Sequence, residues 1–193
     1  TGRYRSTFDV HLTQKGTYRI ASVADMLMGS YDLNGKTERL PRGTTAANLP
    51  ERVPAGATNV KTAEANNRNE IFVTVGEPTT TLFKPTGKGI ELVPVTHPND
   101  LIAGEAATFQ FLLDGKPAAD LPVTVIPGGI RYRDQLGEQH LKTGADGKVE
   151  INWAEPGMYW LNVTTPQAGG EEGAPPPIAR RASYVTTLEV LAP

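Results

Sequence analysis

The chain has 193 residues, with 19 basic and 21 acidic side chains and a formal charge of -2, a balance that gives no electrostatic reason to expect nucleic acid or an anionic membrane surface as partner. Cysteine is absent, which excludes disulfides, thiolate metal sites, iron–sulfur clusters and a cysteine nucleophile. Twenty glycines and 16 prolines, with β-branched and aromatic residues between them, suit many short strands joined by tight turns, and no apolar run approaches the roughly 18 residues of a transmembrane helix.

In chain order, Phe8, Val10 and Leu12 alternate with Asp9, His11 and Thr13 as a half-buried strand does. Lys15-Gly16 then turns the chain into a second strand over residues 17–23. The pattern Gly16-x-Tyr18-x-Ile20 returns at the far end as Gly157-x-Tyr159-x-Leu161. Both resemble the tyrosine corner of immunoglobulin-like sandwiches, with an aliphatic residue where the second cysteine would stand. Two such corners predict an all-β protein of two tandem immunoglobulin-like or transthyretin-like β-sandwich domains, residues 1–86 and 87–193, each with its own core. A tyrosine corner belongs late in a sandwich. The first domain is therefore expected to lack its N-terminal strands here, and the natural protein to continue upstream.

Asn34-Gly35 predicts a two-residue hairpin, because both central positions of a type I′ turn need positive φ. Residues 44–49 are expected to form one helical turn capped by threonine and ended by Pro50. Residues 58–64 and 70–75 read as two strands joined by a polar turn at Asn66-Asn67-Arg68-Asn69. A connection between domains follows over residues 77–89, marked by Pro78, Pro85 and two glycines. The second domain's strands are placed at 91–95, 107–113, 121–126, 139–143, 149–153, 159–163 and 184–191. Phe109, Phe111, Leu113, Val123, Val125, Trp153 and Tyr159 share the inward period. The Pro/Gly-rich stretch 164–181 is far longer than a hairpin loop and is expected to be mobile.

His11, His97 and His140 have no chelating spacing between them. His11 reads as a solvated strand residue, whereas His97, in a loop with Asn99 and Asp100, and His140, next but one to Glu138, are the candidate metal ligands if separate loops converge. A hydrolase would need an activated nucleophile, and neither Gly-x-Ser-x-Gly nor His-Glu-x-x-His is present. Arg131, Tyr132, Arg133 and Asp134 form the most polar candidate surface, directly after a core strand. Two arginines flanking a tyrosine bind a carboxylate or stack on a sugar ring, and they equally form a solvated edge paired with Asp134 and Glu138.

The stretches Glu91-Leu92-Val93-Pro94-Val95-Thr96-His97-Pro98-Asn99-Asp100-Leu101, Phe111-Leu112-Leu113-Asp114-Gly115-Lys116-Pro117 and Gly157-Met158-Tyr159-Trp160 resemble domain-of-unknown-function family 4198. Gly2-Arg3-Tyr4-Arg5-Ser6-Thr7-Phe8 extends the resemblance to the chain's start. Its members are bacterial periplasmic proteins often described as components of cobalt or nickel uptake. The resemblance implies a signal peptide upstream of Thr1, residence in the periplasm, nickel or cobalt held by imidazole and carboxylate groups, and a membrane transport system or other cell-envelope component as partner. It implies a binding or accessory role without catalysis. The alternative is a structural or carbohydrate-binding sandwich of the cell envelope, and a hydrolase is the third reading.

Overall fold

The computed structural model describes residues 7–165 and 180–193. The expected mobile stretch falls mostly at 166–179, outside the described residues, as does the start of the chain through Ser6. Strand β1 (Gly16–Leu33) turns through Asn34-Gly35, both at positive φ, into β2 (Lys36–Arg39), so the type I′ expectation holds. A short helix, α1 (Leu49–Arg52), precedes β3 (Thr58–Val75). Then come β4 (Ile90–Pro94), β5 (Ala106–Leu113), β6 (Lys116–Pro117), β7 (Pro122–Pro127), β8 (Gln139–Lys142), β9 (Lys148–Asn152), β10 (Gly157–Thr164) and β11 (Arg181–Val190).

The chain is all-β, and its strands form two sheets. One has seven strands in the order β2-β1-β3-β11-β10-β7-β8. The other has four, with β5 at its centre against β4, β6 and β9. One buried cluster lies between them. Phe109, Phe111, Leu92 and Ile151 from the small sheet meet Val123, Val125, Leu161, Val163 and Tyr184 from the large one, and the Phe111 and Tyr184 rings approach edge-on with centroids 5.6 Å apart. Val149, Ile151 and Trp153, and then Tyr159, Leu161 and Val163, are buried as their alternation requires.

Both corners form. The Tyr159 hydroxyl donates to the Glu155 carbonyl at 2.8 Å, and the Tyr18 hydroxyl donates to the Gln14 carbonyl at 3.0 Å, each reaching back four residues. Gly16 and Gly157 sit at φ 117° and 136°, values that a side chain would strain. Tyr159→Phe is expected to cost about 1 kcal/mol, the net worth of one hydrogen bond, read as a lower midpoint in chemical denaturation. Tyr18→Phe, at an exposed corner, should cost less.

The two corners do not build two separate interiors. Strands β1 and β3 form one long antiparallel ribbon, and β3 pairs in parallel with β11 from Arg181↔Ala65 to Thr187↔Ile71. The ribbon thus continues the large sheet of the C-terminal sandwich. Phe72 of β3 and Phe83 of the connection enter the common cluster, their centroids 5.4 Å apart. The expected linker is therefore fastened rather than free: Thr81–Phe83 forms a single 3-10 turn that carries Phe83 inward.

Three further expectations change. Residues 66–69 are not a turn, because β3 runs straight through them: Asn66 donates to Asp25 at 2.7 Å, Ser183 donates to Asn67 at 2.7 Å, and strand pairing outweighs the local preference of asparagine for turns. Pro50 stands at the beginning of the short helix rather than at its end, where its missing N–H is no loss. Residues 7–13 form no strand. With no neighbouring strand to bond them, Phe8 is 76% exposed and Val10 is also exposed.

Candidate functional site

The register of the large sheet decides which side chains share its two faces. Tyr159, Leu161, Tyr184, Leu188, Val123 and Val125 point to the core, so their neighbours along each strand point outward. Pairing across the sheet aligns these outward residues in two rows. The first runs Ile126, Trp160, Thr187, Ile71, Ile20, from β7 through β10, β11 and β3 to β1. The second runs His140, Thr124, Asn162, Val185, Asn69, Ser22, starting on β8. One row is mainly apolar and contains an aromatic ring. The other is mainly amide, hydroxyl and imidazole. Neighbours within a row are about 4.8 Å apart and the rows are about 7 Å apart.

No second sheet covers this outer face among the described residues. Trp160 is 39% exposed and Ile71 is 42% exposed. Toward β1 the face dips into a hollow of about 240 Å³, walled by Phe8 and lined by Ile20, Ser22, Asn69, Ile71, Val185 and Thr187. The hollow thus draws on both rows. The Asn162 amide donates to the Tyr184 carbonyl at 3.2 Å, which holds the side chain in place on the face.

The opposite face of the ribbon carries a charged seam. Arg68 lies between two buried carboxylates, 2.9 Å from Glu70 and 3.8 Å from Glu91. Tyr184 donates to Glu70 at 3.1 Å, and burial, with the Glu70 charge beside it, holds the Tyr184 hydroxyl well above the ordinary phenol range. Burial pushes Glu91 up, but the Thr86 N–H and hydroxyl and the Gly87 N–H, at 2.7–2.8 Å, outweigh it and hold the carboxyl below its usual value. Lys88 and Asn66 lower Asp25, and the Arg180 guanidinium, bidentate on Asp114, lowers that carboxyl. A cleft of about 70 Å³ opens among Asp25, Asn66, Arg68 and Lys88, room for a few waters. Its charged groups mostly hold one another, which makes the seam a fastener between ribbon and sandwich.

A pH dependence follows from the seam. Asp25, Glu91 and Asp114 have lower pKa values folded than unfolded, so their contribution is present above the unfolded values and is lost as pH falls through the folded ones. The melting temperature is expected to drop once the pH goes below about 4. Asp114→Asn, which keeps a residue suited to this turn's positive φ, should flatten that acid limb in a series of thermal melts.

The sequence candidates fall in separate places. His97 accepts the Asn99 N–H on Nδ1 at 3.1 Å, so the neutral ring carries its proton on Nε2, which lies 3.2 Å from both the Thr79 carbonyl and the Thr17 hydroxyl. It ties its loop to the start of β1. His140 ends the polar row of the outer face, its Nε2 3.8 Å from Glu138. Among the described residues, no three histidine, aspartate or glutamate side chains gather where one metal ion could sit. Arg131, Tyr132, Arg133 and Asp134 lie on the β7–β8 connection, with Tyr132 at 86% exposure and Arg133 donating to the Pro127 carbonyl. Trp160 and Ile71 were not among the candidates. Strand alternation from Tyr159 already turns Trp160 away from the core, whereas only the non-local β3–β11 pairing brings Ile71 into line with it.

No helix among the described residues is long and apolar enough to cross a membrane. Neither a curated protein nor a solved structure matches the chain. The family described as Domain of unknown function (DUF4198) is matched over residues 1–167, and the chain belongs to that family.

Proposed function

We propose that this is a non-catalytic binding or accessory protein of the periplasm whose ligand is a saccharide of the cell envelope, laid across the outer face of the large sheet. The observation that carries the reading is the pairing of an apolar row that includes Trp160 with a parallel row of Thr124, Asn162, Asn69 and Ser22. A sugar ring has an apolar face and a rim of hydroxyls. Such a ligand stacks on the first row while its rim exchanges hydrogen bonds with the second, and a site built on strands holds both at fixed spacing.

The test is a glycan array followed by calorimetric titration of any saccharide retained. Trp160→Ala is expected to weaken binding by at least about tenfold, the loss of one stacking contact, with a smaller loss of melting temperature than a core substitution because the side chain is partly exposed. A folded protein that retains no saccharide sinks the reading. The nickel or cobalt reading rests on the family resemblance; among the described residues no three candidate ligands gather, and the histidine–carboxylate contact is the exposed pair of His140 and Glu138. Titration with Ni²⁺ and Co²⁺ is expected to give no saturable heat at micromolar metal. Saturable heat would move the function to metal uptake, with the transport system as partner.

A further inference from the structure

The edge of β1 is open over seven residues. Within the ribbon, odd-numbered positions of β1 turn their backbone groups away from β3: the Thr17 N–H donates to the Thr79 hydroxyl oxygen at 3.0 Å, the Leu27 N–H to the Thr44 carbonyl at 2.7 Å, and the Gly29 carbonyl accepts from Leu40 at 2.9 Å. The register with β3 is unbroken between these points. Arg19, Ala21, Val23 and Asp25 therefore direct their N–H and carbonyl groups outward, and no described residue bonds them. Strand β2 reaches only Ser30 to Leu33. Several devices that blunt an edge are missing: the run Arg19-Ile20-Ala21-Ser22-Val23-Ala24-Asp25 has no proline, no lysine and no bulge, and its two charges, Arg19 and Asp25, are of opposite sign.

We propose that this edge is the interface with a second copy of the chain, joined by antiparallel pairing of β1 about Ser22. In that register Arg19 of one copy faces Asp25 of the other, and Ala21 faces Val23. These are the positions that present hydrogen-bonding groups, so each of the four facing pairs exchanges two backbone bonds. The charges match at both ends, since the two-fold axis repeats each contact. Their in-chain partners leave room: Arg19 is 3.7 Å from Glu70, and Asp25 remains 41% exposed beside Lys88. Side chains on the other surface are small at the axis, with Ser22 facing Ser22 and Ile20 facing Ala24. The Thr44 and Thr79 contacts bracket the edge and confine the pairing to residues 19–25. An axis perpendicular to the sheet keeps both outer faces on one side, so the polar row would run through Asn69 and Ser22 of one copy into Ser22 and Asn69 of the other. The inference does not depend on what that face binds.

Sedimentation equilibrium of the whole chain over a dilution series tests it, with amide hydrogen exchange as second readout. A reversible dimer is expected, in which the Ala21 and Val23 amides slow their exchange as concentration rises. Val23→Pro removes an edge donor without touching the β3 ladder and should weaken the dimer at least about tenfold. Val23→Lys, at a side chain 52% exposed, should do the same while the β1–β3 ladder amides stay protected. A monomer with freely exchanging amides at 21 and 23 overturns the proposal. So does a monomer in which they are protected, which would place a segment of the same chain on the edge, or a dimer indifferent to Val23→Lys.

Discussion

Trp153→Ala is expected to lower stability by about 3–5 kcal/mol, the range for removing a large aromatic side chain from a packed core. Trp153 is 1% exposed and follows directly on β9, where the Gly104 N–H donates to its carbonyl at 2.7 Å. Its ring meets Tyr159 edge-on with centroids 5.0 Å apart, so the indole also supports the tyrosine that forms the second corner. Removing it leaves a cavity between the sheets and frees that tyrosine. The indole N–H has no hydrogen-bond partner among the described residues, which gives the prediction a second arm. Trp153→Phe keeps most of the volume, loses no hydrogen bond and should cost only about 1–2 kcal/mol. Denaturant titrations of the two variants measure both numbers. A Trp153→Phe loss well above about 2 kcal/mol would mean that the indole nitrogen is bonded.

Arg68→Ala is expected to cost about 3 kcal/mol, which for a chain of this length lowers the melting temperature by about 6–12 °C. The Arg68 side chain is 11% exposed and its guanidinium sits between Glu70 and Glu91, whose side chains are nearly inaccessible. Truncation leaves two buried carboxylates without their shared cation, and an unpaired buried charge costs more than the pair contributes when whole. The loss falls at the lower end of the range because each acid keeps other donors: Tyr184 for Glu70, and Thr86 and Gly87 for Glu91. The penalty should shrink in acid, as orphaned carboxylates take up protons. Differential scanning calorimetry at neutral and acidic pH reads both effects. A loss below about 1 kcal/mol at neutral pH would place the seam in solvent rather than in the interior.

What the sequence reveals about this fold is mostly local. The Gly-x-Tyr corners, the Asn34-Gly35 turn and the alternation through Val149, Ile151 and Trp153 each depend on a few adjacent residues, and each stands where the pattern puts it. Residues 66–69 escape the same reading because their strand is held from outside, by Asp25, Arg180 and Ser183, which lie more than 40 positions away in the chain. The joining of both halves into one sheet depends on β3 and β11 pairing in parallel, and no turn between neighbours announces such a match. The candidate site shares that limit. Arg131 and Tyr132 attract notice as a cluster in sequence, whereas Trp160, Ile71 and Asn69 become neighbours only through the ladder.

Strand β11 also fixes the order in which this protein can be made. It follows all its partners in the chain, yet it stands between β3 and β10 and is the one strand that touches both. Until it docks, the ribbon has one flank of β3 unmatched and the sandwich has one flank of β10 unmatched, both inviting wrong partners. Folding should therefore be slow and sensitive to holding chaperones, with this ten-residue strand acting as the zip that ends the exposure.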